Sequence, residues 1–213
     1  MIPYEILLKS TFMKYSILLF LLLLASGVFA QKLNTSTTAG FFVGANFSRM
    51  NFNKSSPVPP PPVPVTTYFE PSLRVGLYTN VQFGNRFSLR NEYVFSQVQN
   101  VVHTYNQQIK LNYLELPVLL AYKLDKRVSL QAGPALGFLI SASKIANNAT
   151  EDITHDTEER SIGLNVGAAF AFSSRLSFFT RYQHGMNHIG IGQRSNVSEF
   201  RLEQLQLLLQ VRF

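Results

Sequence analysis

Cysteine and tryptophan are both absent from this chain of 213 residues. Without cysteine the chain has no disulfide framework, no thiolate-ligated zinc site and no lipoprotein attachment point. Charged residues are also scarce, at 15% of the sequence, and the net charge of +7 is spread along the chain instead of forming a basic cluster. We therefore expect no nucleic-acid partner.

Long apolar runs are confined to the N-terminus. Met13 and Lys14 precede an unbroken apolar stretch at residues 17–24, and a small-residue segment ends at Ala30. This order predicts a secretory signal peptide over residues 1–30, or starting at Met13 if translation begins there. After Gln31 no segment approaches the ~20 apolar residues that a membrane-spanning helix needs. A mature chain that enters a membrane must then do so as a closed β-barrel.

What the sequence has instead is alternation with a period of two, most clearly at residues 200–213. The apolar positions of this segment are Leu205, Leu207, Leu209, Val211 and Phe213, and the polar ones are Gln204, Gln206, Gln210 and Arg212, with Leu208 as the exception. This pattern predicts a strand with one apolar face. The final Phe213 resembles the C-terminal signature that the barrel-assembly machinery recognises in bacterial outer-membrane β-barrels.

Seven further segments carry strand patterns, at residues 38–50, 69–83, 86–98, 109–124, 128–141, 160–172 and 175–187. The connections alternate in length, with long loops near 51–68, 99–108, 142–159 and 189–199 and short turns between them. Transmembrane barrels have this asymmetry, with short periplasmic turns and long external loops. We predict that residues 31–213 form one all-β domain, an eight-stranded antiparallel up-and-down transmembrane β-barrel.

The residues on the two faces of the strands indicate whether the barrel lies in a membrane or in water. The parity opposite the apolar one holds Arg74, Arg90, Glu92, Arg181, Gln183, Gln206 and Arg212. So many charges do not suit a soluble core, so we predict a polar, side-chain-filled lumen with lipid outside. Arg90, Glu92, Glu115 and Arg181 are expected to form an ion-pair network near mid-barrel. If the faces were reversed, the chain would be a soluble periplasmic barrel that binds an apolar ligand.

Three segments resemble the PorT-like outer-membrane β-barrel family: residues 111–120 (LNYLELPVLL), 131–139 (QAGPALGFL) and 181–186 (RYQHGM). The resemblance implies a Gram-negative outer-membrane protein in contact with outer-membrane lipid and lipopolysaccharide. It also implies a non-enzymatic role, structural, adhesive or secretion-associated, with secretion or surface partners that bind the external loops.

One set of residues offers an enzymatic alternative. His184 and His188 precede Ser195, Ser198 and Glu199, the residue types of a Ser-His-Glu hydrolase acting on lipid, such as a lipid A deacylase. A triad is defined by geometry, so we assign no catalytic residue. The acidic run of the third long loop lacks the spacing of a calcium-binding loop, so we assign no metal or cofactor. That run consists of Glu151, Asp152, Asp156, Glu158 and Glu159.

Overall fold

A computed structural model describes residues 36–52, 65–146, 149–192 and 198–213. The predicted signal peptide and the proline-rich run at 57–64 lie outside these ranges. The strands are β1 Ser36–Asn51, β2 Glu70–Phe83, β3 Phe87–Val102, β4 Gln107–Lys123, β5 Val128–Ala146, β6 Ala149–Asp152, β7 Arg160–Ala171, β8 Leu176–Gly185, β9 Ile189–Ile191 and β10 Ser198–Arg212. Short 3-10 turns occupy His103–Tyr105 and Thr154–Asp156. None of the described residues forms a helix long and apolar enough to cross a membrane.

Eight long antiparallel strands close into a barrel. Each pairs with its neighbour along the chain, and β1 pairs with β10 from Gly40 opposite Arg212 to Asn51 opposite Arg201. The short strand β6 pairs with the end of β5, and β9 pairs with the start of β10, both antiparallel. Because closure leaves no unpaired strand edge, the backbone polar groups are satisfied within the sheet. The predicted eight-stranded antiparallel barrel is confirmed.

At the end of the barrel that carries the long loops, which we call the outer end, the strands are longer than the sequence pattern predicted. Strand β3 continues to Val102 and β4 begins at Gln107, so most of the loop predicted at 99–108 is a tight hairpin. Strand β5 continues to Ala146 and pairs with β6, so much of the loop predicted at 142–159 is also a hairpin. Polar pairs such as Gln99 opposite Lys110 stand on these extensions. The outward residues of these extensions are polar. The apolar alternation in the sequence therefore ends there, although the strand pairing continues.

A β-bulge in β5 changes which residues face the interior. Asn112 pairs with Ser141 but Tyr113 pairs with Leu139, so Ile140 is an extra residue in the ladder. Before this point Ala135 is buried in the interior, whereas after it Ala142 is buried. A bulge adds one residue to one strand and so reverses the parity beyond it. The single alternation predicted for residues 128–141 therefore does not extend to the end of β5.

The outward face of the barrel is apolar and the inward face of its middle is charged. Outward side chains such as Leu77, Tyr93 and Val166 are 57–58% exposed, while Arg74 and Glu92 point inward and are at most 1% exposed. A water-soluble protein rarely exposes so large an apolar surface, whereas a membrane barrel presents it to lipid. The lipid-facing assignment made from sequence is confirmed, and the soluble periplasmic barrel is excluded.

Candidate functional site

A buried belt of charged residues crosses the middle of the barrel. Arg181 donates from Nη1 to Glu92 Oε2 and from Nη2 to Glu92 Oε1, each at 2.9 Å. Arg90 donates from Nε to Glu92 Oε1 at 2.5 Å, and Gln131 Oε1 accepts a further bond from Arg181 at 3.1 Å. All three charged side chains are at most 4% exposed. One carboxylate thus balances two guanidinium groups that come from β3 and β8.

A second ion pair lies beside this belt. Arg74 donates from Nη2 to Glu115 Oε2 at 2.8 Å and from Nη1 to Ser96 Oγ at 2.9 Å. We predicted Glu115 as a member of one network with Arg90, Glu92 and Arg181, but its ion-pair partner is Arg74. Strands in a barrel are tilted, so residues counted upward from different turns do not stand at equal heights. The predicted network is therefore confirmed for Arg90, Glu92 and Arg181 and corrected for Glu115.

Aromatic rings surround the guanidinium of Arg90. Its central carbon lies 3.9 Å from the ring centroid of Tyr78, 4.7 Å from that of Phe179 and 5.8 Å from that of Phe42. Its Nη1 donates to Gln210 Oε1 at 2.5 Å, and Gln210 donates to the Tyr78 hydroxyl at 2.8 Å. Cation–π contacts and hydrogen bonds from four other strands therefore hold one cation at the centre of the lumen.

The outer part of the interior is apolar, unlike the wholly polar lumen that we predicted. We call this group the outer cluster; its buried members are Met50, Phe52, Val65, Val98, Val102, Ile109, Leu111, Tyr113, Ala142, Ile153, Ile189, Phe200 and Leu202. None of them is more than 7% exposed. The outer cluster and the charged belt together fill the outer and middle parts of the interior with buried side chains, which does not suit an open diffusion pore.

The outer loops are bonded to one another above the outer cluster. The amide of Glu158 donates to Gly190 O at 2.9 Å, and that of Gly192 donates to Asp156 O at 2.8 Å. Thr67 Oγ1 donates to Met50 O at 2.7 Å, which ties the segment before β2 to the end of β1. The first two bonds join the β5–β7 connection to the β8–β10 connection, and the third lies within the β1–β2 connection. We call the described parts of these three connections the outer lid.

The structure describes both histidines of the hydrolase alternative but not the side chains of its two serines. His184 lies next to Tyr182, with 6.4 Å between ring centroids, on the outward side of β8. His188 Nε2 accepts a hydrogen bond from Arg201 Nε at 3.1 Å. Ser195 and the Ser198 side chain lie outside the described part of the structure. The described geometry thus places His184 on the lipid side and joins His188 to an arginine.

The acidic run serves the local structure of the outer lid. Glu151 pairs with Lys144 at 2.9 Å across the β5–β6 hairpin. Asp152 Oδ1 accepts bonds from the hydroxyl and the amide of Thr154 at 2.6 and 2.9 Å. These bonds to its charged form hold the pKa of the Asp152 carboxyl below its usual value. Within the described ranges no group of three or more His, Asp or Glu side chains is placed to hold a metal ion.

A family profile matches residues 29–190, more than half of the chain, and its description is "Outer membrane protein beta-barrel domain". The chain belongs to this outer-membrane β-barrel family. It is therefore an integral protein of the bacterial outer membrane, which agrees with its apolar outward face. The finer resemblance to PorT-like proteins stays a prediction.

Solved outer-membrane barrels share the fold at low sequence identity. Neisserial surface protein A is 15% identical, with a TM-score of 0.51, over 84% of this chain and 99% of its own. The attachment invasion locus protein Ail of Yersinia pestis is 14% identical, with a TM-score of 0.48, over 84% and 99%. No curated protein sequence matches this chain. At such identities the likeness concerns the fold alone.

Sequence reasoning missed two features of this outer-membrane barrel. The cage around Arg90 uses Phe42 and Phe179, which stand on the small and polar parity of their strands. A large aromatic residue on that parity is the signal that could have indicated an interior partner for a cation. The outer cluster was missed because Val102 and Ile109 fall within or beside a segment interpreted as a loop.

Proposed function

We propose that this outer-membrane barrel is a non-enzymatic surface protein whose outer lid binds partners outside the cell. The observation that carries the proposal is the pair of backbone hydrogen bonds that joins the β5–β7 connection to the β8–β10 connection above the outer cluster. A binding surface needs its contact groups held in place, because ordering loops on binding costs free energy. Transport through the lumen is disfavoured because the outer cluster and the charged belt fill its outer and middle parts.

The chemistry of the outer lid favours polar contacts. The Glu151 side chain is 64% exposed, and Asp152, His155 and Glu159 are also exposed around it. Exposed carboxylates on a membrane barrel steer cationic groups toward the surface. A partner with a basic contact surface therefore suits the β5–β6 hairpin and the segment that follows it.

Shortening the β5–β6 hairpin tests this proposal. Replacing residues 144–151 with Asn-Gly joins Ser143 to Asp152, which are paired across the hairpin, through a two-residue turn. Cells with this variant are expected to lose attachment to surfaces. They should keep the envelope resistance to detergent and the secreted-protein profile of cells with the unaltered chain. The measurement compares attachment, detergent resistance and secretion side by side.

The matched control replaces the periplasmic turn Ser173 and Ser174 with Asn-Gly, which changes a loop on the other side of the membrane. It should leave attachment unchanged. If the shortened hairpin attaches normally while loss of the whole protein alters secretion or detergent resistance, the surface-contact role is wrong. Both variants must show the shift in SDS gel mobility on boiling that marks a folded barrel.

A further inference from the structure

The end of the barrel opposite the outer lid contains an open cavity of about 290 Å³. We call it the inner cup. It lies among the short turns that connect β2 to β3, β4 to β5 and β7 to β8, and Arg90 and Gln210 line its inner end. The family's orientation places these short turns in the periplasm. The inner cup thus opens to the periplasm, and the charged belt closes the end that lies toward the middle of the barrel.

The charge on the walls of the inner cup is of one sign. Its lining includes five cationic side chains, those of Arg90, Lys123, Lys126, Arg127 and Arg212. No carboxylate is among its described lining residues. The nearby Asp125 carboxylate accepts hydrogen bonds from the backbone amides of Arg127 and Val128, at 2.6 and 2.7 Å, and so stabilises the turn between β4 and β5.

Four of these cations have unused donors. In the described structure no carboxylate forms an ion pair with Lys123, Lys126, Arg127 or Arg212. Lys123 donates once, to Gln82 Oε1 at 2.7 Å, and an ammonium has three donors. Arg90, by contrast, is satisfied by Glu92 and Gln210. The mouth and walls, not the inner end, therefore supply the free charge.

The neutral lining suits an oxyanion as well. Seven serine and threonine side chains line the inner cup, and each hydroxyl can donate one hydrogen bond. Low-dielectric walls with one sign of charge focus the field and raise the local concentration of ions of opposite charge. A cavity of about 290 Å³ is near the lower end of the volumes of small-molecule sites.

We propose that the inner cup binds a phosphate group presented from the periplasm. Arg127 and Arg212 offer planar donor pairs that match phosphate oxygens, and Lys123 and Lys126 add point charges. The phosphate belongs either to a small soluble molecule or to a phospholipid headgroup of the inner leaflet. Cations that only contact lipid headgroups would point away from the barrel. These side chains instead line a cavity inside the barrel.

Titration of inorganic phosphate into the purified full-length barrel tests the site. Calorimetry in a neutral detergent, with chloride replaced at constant ionic strength, should show saturable binding. Arg212→Gln and Lys123→Gln should each weaken it by about tenfold, since each removes a charge-assisted contact. Lys110→Gln removes the same charge at the outer end of β4 and should leave the affinity within about twofold, as expected for a distant site.

Two lipid environments distinguish the sources of the phosphate. Nanodiscs of phosphatidylcholine alone are compared with nanodiscs that also contain phosphatidylglycerol. Phosphate binding that persists in both nanodiscs identifies a soluble ligand, and binding that is seen in detergent but suppressed in either nanodisc identifies a lipid headgroup. Absence of saturable binding in detergent and in both nanodiscs overturns the proposal, as does equal weakening by Lys110→Gln. If Arg212→Gln does not fold, Lys123→Gln and Arg127→Gln at exposed positions decide the result.

Discussion

Replacing Glu92 with Gln is expected to lower the free energy of unfolding by about 3–5 kcal/mol, the cost of removing one partner from a buried ion pair. Glu92 accepts two bonds from Arg181 and one from Arg90, and it is 1% exposed. An amide is neutral, so the substitution leaves two buried guanidinium groups without their shared counter-charge. Urea unfolding in lipid vesicles, followed by tyrosine fluorescence, measures the loss.

The matched control is Glu159→Gln, which makes the same chemical change at an exposed position of the outer lid. It should stay within about 0.5 kcal/mol of the unaltered chain. Adding Arg181→Gln to Glu92→Gln should cost less than the sum of the two single changes, because the residues are directly coupled. Equal stabilities of the Glu92 and Glu159 variants would show that the belt does not hold the barrel together.

Replacing Phe200 with Ala is expected to cost about 3–5 kcal/mol, the usual range for truncating a buried aromatic side chain. Phe200 is fully buried in the outer cluster, and its ring centroid lies 5.3 Å from that of Phe52. Truncation leaves a cavity, and the residues of the outer cluster around it lose their packing contacts with the Phe200 ring. The same unfolding measurement should show the loss.

Phe138→Ala serves as the control, because Phe138 is on the outward face and 45% exposed. Its ring contacts protein on one side only, so its truncation should cost clearly less than that of Phe200. A Phe200 variant no less stable than the Phe138 variant would mean that the outer cluster is not a packed core.

The architecture was predictable because period-two alternation reports the face of each residue wherever one face meets lipid. In β10 the buried Gln204, Gln206 and Gln210 alternate with the exposed Leu205 and Leu209, as the sequence indicated. The same signal placed Arg90, Glu92 and Arg181 in the lumen. Their ion pairs followed because buried charges need partners.

The signal failed where the strands extend beyond the apolar band. On β3, Val98 and Val102 are buried in the outer cluster while outward residues such as Gln97 are polar, so the pattern is inverted there. The extra residue Ile140 then changes the parity of β5. Neither the inversion nor the bulge can be recognised from composition. The pairing of Arg74 with Glu115 depends on strand tilt, which the alternation does not report.

The orientation of the barrel, with its lumen closed on the outside and open to the periplasm, can be measured by cysteine labelling. Because the chain has no cysteine, a single introduced cysteine can be labelled without background. Ser177 lines the inner cup, and Glu151 is exposed on the outer hairpin. A membrane-impermeant maleimide should label Glu151→Cys on intact cells and Ser177→Cys only after the outer membrane is permeabilised. Labelling of Ser177→Cys on intact cells as fast as Glu151→Cys would require an open lumen or the opposite orientation, and neither agrees with a barrel that is closed on the outside.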